Sequence, residues 1–270
     1  MTASEVPSTV ERLVRRDRLV IAVSLATLTL LAWAYLLSSA AGMKSMAADA
    51  QMHAAMGMAD MRVWGASDWL ALSVMWAVMM AGMMLPSAAP VILLVLGVFR
   101  RRGDRRARLS AGTFVAGYVL AWATFSALAA GAQVGLHRAA LLSGDMSSRS
   151  TQLAGAILLI AGVYQWLPIK KACLTHCQSP LGFLAAHWRE GAAGSLMMGL
   201  RHGAFCVGCC WALMTLLFVV GVMNLFWVAA IAAFVLIEKL TRQGLPIGRA
   251  AGVLLILWGL FELRARQGIR

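Results

Sequence analysis

An all-α fold, a polytopic transmembrane helical bundle, is what this sequence predicts, on three observations. Apolar residues make up 61% of the chain and the mean hydropathy is +0.77, beyond what an ordinary soluble domain carries. Apolar runs of bilayer-spanning length recur along it, and continuous helix is the conformation that satisfies their backbone polar groups inside lipid. The basic residues gather between those runs.

About seven spans (six to seven) follow. The first, 19–41, comes after 12-RLVRRDR-18 and is longer than a signal-peptide core, so it reads as an anchor. The second, 69–99, is long and carries Pro86, which should kink it and free a carbonyl. Spans at 110–132 and 151–169 follow, then 202–222, 225–240 and 247–263, with a hairpin at Met223–Asn224. The stretch 181-LGFLAAHWREGAAGSLMMGL-200 has an apolar stripe broken by His187, Arg189 and Glu190, and is expected to lie as an amphipathic helix in the inner interface.

The chain has a net charge of +13, but its bases lie in 100-RRRGDRRAR-108, 170-KK-171 and 239-KLTR-242, between apolar spans. That pattern marks cytoplasmic loops, with the lipid bilayer and no nucleic acid as partner. It predicts a bacterial inner-membrane, multi-pass protein with a cytoplasmic tail (1–18) and one transmembrane domain (19–263). Loop 42–68 would be periplasmic and loop 170–199 cytoplasmic. A seventh crossing leaves the basic tail 264–270 outside, against the same rule, so either the seventh helix is half-inserted or the count of spans is off by one. No linker or internal repeat divides the chain.

Four constellations carry the chemistry. In 202-HGAFCVGCCWALM-214, helical spacing puts Met198, His202, Cys206 and Cys209 in one arc with Cys210 beside it. Thiolates and an imidazole suit copper(I) or zinc, whereas the competing reading is that cysteine is a small apolar packing residue. In 173-CLTHC-177, Cys173 and Cys177 share a helical face near Lys170 and Lys171, which would favour their thiolates; the pair either completes the first site from across the interface or is two surface thiols without a role. In 43-MKSMAADAQMHAAMGMADM-61, Met52, His53 and Met56 stand among further methionines, as soft ligands for an oxidising compartment or as an adaptable apolar surface. In 75-MWAVMMAGMMLP-86, Met75, Met79 and Met83 line one face, extended by Met80 and Met84, as a path for a soft ion or as core packing. Glu238 beside Lys239 is either an ion-coupling carboxylate or a snorkelling pair at a helix end.

Taken together, 75-MWAVMMAGMMLPSAAP-90, 164-YQWLPIKKACLTHCQSPLGF-183, 203-GAFCVGCCW-211 and 221-GVMNLFWVAAIAAFVLIEK-239 resemble a bacterial family of predicted metal-binding integral membrane proteins of unknown function. The resemblance covers roughly residues 69–260. It implies that Met79, Met80, Met83, Met84, Pro86, Tyr164, Lys170, Cys173, Cys177, Cys206, Cys209, Cys210, Trp211, Met223, Asn224, Glu238 and Lys239 stand at motif positions. The Met/His stretch before residue 69 is outside the family pattern.

The reading that unites these residues is a membrane protein binding a soft metal ion, copper(I) ahead of zinc, for transport or for delivery to a metallochaperone or metalloenzyme assembly partner. The alternatives are a membrane-embedded thiol–disulfide oxidoreductase and a structural subunit without chemistry. A non-enzymatic role is favoured over an enzyme. No nucleotide-binding loop motif occurs, so energy for transport would come from an ion gradient or another subunit.

Overall fold

The computed structural model describes residues 9–55, 65–139, 141–142, 148 and 150–265, with side chains left aside at 9–15 and 43–55. Its elements are α1 (Thr9–Ala55), α2 (Ala66–Arg101), α3 (Ala107–Arg138), α4 (Thr151–Tyr164), α5 (Pro168–Gln178), α6 (Pro180–His187), α7 (Gly191–Met214), α8 (Leu217–Val220), α9 (Leu225–Leu240) and α10 (Gly244–Ala265). The described residues hold no strand beyond an isolated bridge between Leu142 and Ser148. The all-α expectation stands.

Five stretches are long and apolar enough to cross a membrane: Arg16–Gly42 of α1, α2, α3, Gly191–Val220 and Gly244–Arg264. The pair α4 and α5 is apolar enough only when taken together and is bent by 64°, the form of a broken span or of a re-entrant loop. The bend falls at 165-QWL-167, ahead of Pro168, which cannot donate a helical hydrogen bond and pushes Leu167 into extended backbone. α9 has 16 residues, about 24 Å at 1.5 Å per residue, short of a hydrocarbon core of about 30 Å.

α2 and α7 are the inner helices, with 61% and 56% of their apolar windows buried, whereas α1 and α10 bury 17% and 22% and form the rim. Small residues set the closest packing, as expected where lipid supplies no hydrophobic drive between helices. A Cβ on Gly199 of α7 would lie 1.9 Å from the Phe114 carbonyl of α3, so only glycine allows that approach. α4 and α10 meet antiparallel in the same way, Gly155 and Gly162 against Gly259 and Gly252.

Two expectations change, and the single long span expected across Pro86 holds. Residues 181–200 are not one interfacial helix. α6 ends at His187, the chain turns at 188–190, and α7 starts at Gly191 with φ +76, so residues 191–200 are its first turns. Of the polar residues that break the stripe, His187 ends α6, and Arg189 and Glu190 form the break between helices. α2 runs on through Pro86 and Pro90 as one helix. The helical backbone of α1 continues to Ala55, beyond the boundary expected at 41.

Ion pairs place the basic loops at one end of the bundle. Asp17, buried at the base of α1, pairs with Arg100 and, at 3.4 Å, with Arg108. Arg102 pairs with Glu190 at 3.0 Å. The antiparallel packing of α10 on α4 carries Leu263 to Gly155, at the opposite end.

Candidate metal centre

α5 and α7 bring four thiols together. Cys206, Cys209 and Cys210 are buried on α7, one turn apart, because a CxxCC spacing on a helix leaves all three on one face. The bend after α4 lays α5 along α7 and puts Cys177 in hydrogen-bonding contact with both Cys206 and Cys209. Cys210 makes the same contacts with Cys206 and Cys209, closing a ring of four sulfurs. The Cys209 and Cys210 thiols also donate to the Cys206 carbonyl, at 3.1 and 3.0 Å. All five cysteines are free thiols.

A buried cation faces this ring. Lys239 Nζ on α9 donates to Cys206 Sγ at 2.9 Å and to Ser87 Oγ at 3.2 Å, and lies 3.5 Å from Met84 Sδ. The Tyr118 hydroxyl of α3 reaches both Cys206 Sγ, at 3.0 Å, and the Met84 carbonyl, at 3.2 Å. Glu238, the neighbour of Lys239, turns to Lys170 instead, at 2.6 Å, with both side chains buried. Gln165 also accepts from Lys170. The carboxylate has room because the backbone of α10 comes close without a side chain at Gly248, where a Cβ would lie 2.2 Å from Glu238 Oε1.

Two charge assignments are thereby corrected. Glu238 and Lys239 are not a snorkelling pair, since both are buried and each has a different partner. The lysine that faces the thiols is Lys239; Lys170 is held by Glu238 and Lys171 is exposed.

The other expected ligands are placed unevenly. Cys173 stands a turn from Cys177, half-buried against the backbone of Gly208, outside the ring. His202 is buried one turn before Cys206, with its ring near Phe114, Tyr118 and Phe183 and no hydrogen-bond partner for Nδ1. Met75, Met79, Met80, Met83 and Met84 are all core residues, and Met84 is the one that reaches the thiol and lysine cluster. Met52 and His53 lie on the helical backbone of α1 where side chains are not described, and Met56 lies outside the described residues. Sequence reasoning missed Tyr118, Ser87 and Gln165. Each lies in or beside an apolar run, and a polar group there is a signal in itself because it needs an internal partner.

As they stand, no three or more His, Cys, Asp or Glu side chains among the described residues are arranged to hold a metal ion. The physical reason is that the thiols are spaced by hydrogen bonds to each other, to a carbonyl and to an ammonium. Ligation requires them to lose their protons and turn inward. The donor set nevertheless fits a soft ion, with four thiols and a thioether in a dry site.

The fold and this site define a class: a helical membrane protein with a buried thiol cluster opposite a buried lysine. Residues 73–262, well over half of the chain, match the PpoB2 family, described as copper chaperone, and the protein belongs to that family. No curated protein and no solved structure matches the chain. The match supplies a copper-related role, in line with the resemblance to a metal-binding family, and it begins after the Met/His stretch.

Proposed function

We propose that the protein holds copper(I) within the bilayer on two thiolates of the ring formed by Cys177, Cys206, Cys209 and Cys210, with Met84 as a further soft donor, and delivers it to a partner at the bacterial inner membrane. The observation that carries this is the ammonium of Lys239 set against the thiol ring. Two thiolates and one monovalent ion sum to a single negative charge, which Lys239 balances, while Lys170 and Glu238 cancel each other. A neutral total matters because uncompensated charge inside a membrane protein is costly. Zinc fits less well, since four thiolates around a divalent ion sum to two negative charges, one more than Lys239 balances.

The test is copper(I) titration of the detergent-purified, fully reduced protein with X-ray absorption at the copper edge. The wild type is expected to show copper–sulfur scattering, and Cys206→Ser with Cys209→Ser to lose it while remaining helical. Serine keeps the volume and removes the soft donor, so an alanine pair separates ligation from packing. A reduced wild type without a copper–sulfur bond overturns the proposal, and a reducible disulfide in the protein as purified, before any reductant is added, would favour the oxidoreductase instead.

A further inference from the structure

A second group of ligating side chains lies beside the thiol ring. His176 on α5 and His187 at the end of α6 have ring centroids 6.0 Å apart, and both are half-buried. Between them and the core stand Phe205, stacked on His176 at 4.1 Å, and Phe183, stacked on His187 at 5.0 Å. His202 lies behind Phe183, centroids 5.0 Å apart, with its buried Nδ1 unpartnered. Next to His176 in the chain is Cys177, a member of the ring.

The chemistry of the two outer imidazoles is fixed by their helices. His176 Nδ1 is 2.8 Å from the Ala172 carbonyl and His187 Nδ1 is 3.1 Å from the Phe183 carbonyl. A carbonyl only accepts, so Nδ1 carries the proton and Nε2 keeps its lone pair, the tautomer that binds metals. With metal–nitrogen bonds of about 2.0 Å, an ion bound linearly between two imidazoles holds their centroids roughly 6 Å apart. The observed spacing is already of that size; a rotation of the rings is what ligation adds. The pair lies at the end that carries the basic loop, since Trp188, next to His187, packs on Phe99 and lies under the Arg102 guanidinium at 4.7 Å.

From this arrangement we infer that His176 and His187 form a second, outer copper(I) site, through which the ion is exchanged with the thiol ring. The inference rests on the copper reading above. Transfer inward is a ligand exchange without redox: two neutral imidazoles release the ion, two thiols take it, and the two protons the thiols give up are accepted by the freed imidazole Nε2 atoms and passed on to water. Cys177, the ring member next to His176 in the chain, and His202, behind Phe183 and one turn before Cys206, are the groups that link the two sites.

Two measurements on the full-length protein in detergent test it. In the variant with Cys177, Cys206, Cys209 and Cys210 all changed to serine, one equivalent of copper(I) is expected to bind with a nitrogen-only shell by X-ray absorption. His176→Phe with His187→Phe in that background should abolish it. With the thiols intact, the same pair of phenylalanines keeps the ring stacks. It should slow loading from a copper(I)–bicinchoninate complex at least tenfold without changing the final copper–sulfur signal. Unchanged loading by the phenylalanine pair, with copper–sulfur bonds still formed, overturns the outer site and leaves the thiol site standing. Nitrogen-bound copper in a wild type that shows no copper–sulfur bond overturns the thiol reading instead.

Discussion

Single residues decide whether buried charge is tolerable here. Lys170 and Glu238 are 1% and 0% exposed, and their 2.6 Å contact removes two formal charges from an apolar interior. Removing one partner of such a pair costs about 3–5 kcal/mol, whereas replacing both with apolar residues of similar size is often neutral. Glu238→Gln is therefore expected to lower thermal stability sharply, and Lys170→Met with Glu238→Leu to recover most of it. Tryptophan fluorescence during heating in detergent reads both, and a double variant no more stable than the single would show that the pairing is not what holds these residues. The same scale shows what the sequence could convey. The one-sided placement of Cys206, Cys209 and Cys210 is legible from spacing alone, because a helix fixes which positions share a face. The partner of each charge is not, since Glu238 and Lys239 are neighbours in the chain yet point to different helices. Cys173 and Cys177 also share a spacing, and only the position of α5 on α7 separates the one in the ring from the one beside it.

At the scale of elements, hydropathy located the apolar runs but not their mutual approach. The runs at 110–132 and 151–169 appear as α3 and as α4 with α5, and the interruption inside the latter was written as 165-QWLP-168. What the pattern did not show is that the interruption turns α5 through 64° and lays its cysteine against α7. Nor did it show that 191–200 extends α7, because a polar cluster such as 187-HWRE-190 looks alike whether it faces water along a helix or lies between two helices. The contact of α3 with α7 depends on a backbone approach that tolerates no side chain. A Cβ on Gly199 would lie 1.9 Å from the Phe114 oxygen, and one on Gly117 2.1 Å from the Leu196 oxygen. Overpacking of this kind costs about 1–3 kcal/mol, occasionally more. Gly199→Ala is expected to lower the melting temperature and to weaken copper(I) binding, because Tyr118 and Cys206 come from the two helices it pushes apart. An exposed glycine with open space around it, Gly112, serves as control: Gly112→Ala should leave both measurements unchanged.

Across the whole molecule, the remaining conflict is between charge and fold at the C-terminus. The positive-inside rule would keep the basic tail on the same side as loop 100–108. The packing of α10 does the opposite, since Gly259 and Leu263 meet Gly155 near the start of α4 while Gly248 meets Glu238 at the end of α9. The close glycine contacts along α4 and α10 bind the two helices over most of their length, and a half-inserted α10 would forfeit them. The rule is a bias summed over loops in which the first helix usually dominates, whereas antiparallel packing is set by contacts that either exist or do not. We therefore expect Ala265→Cys to react with a membrane-impermeant maleimide in intact cells and Arg102→Cys to react only after permeabilisation, each measured against the wild-type background of buried and half-buried thiols. Equal protection of both positions in intact cells would mean that α10 returns to the side of the basic loops, and that its pairing with α4 does not hold in the bilayer.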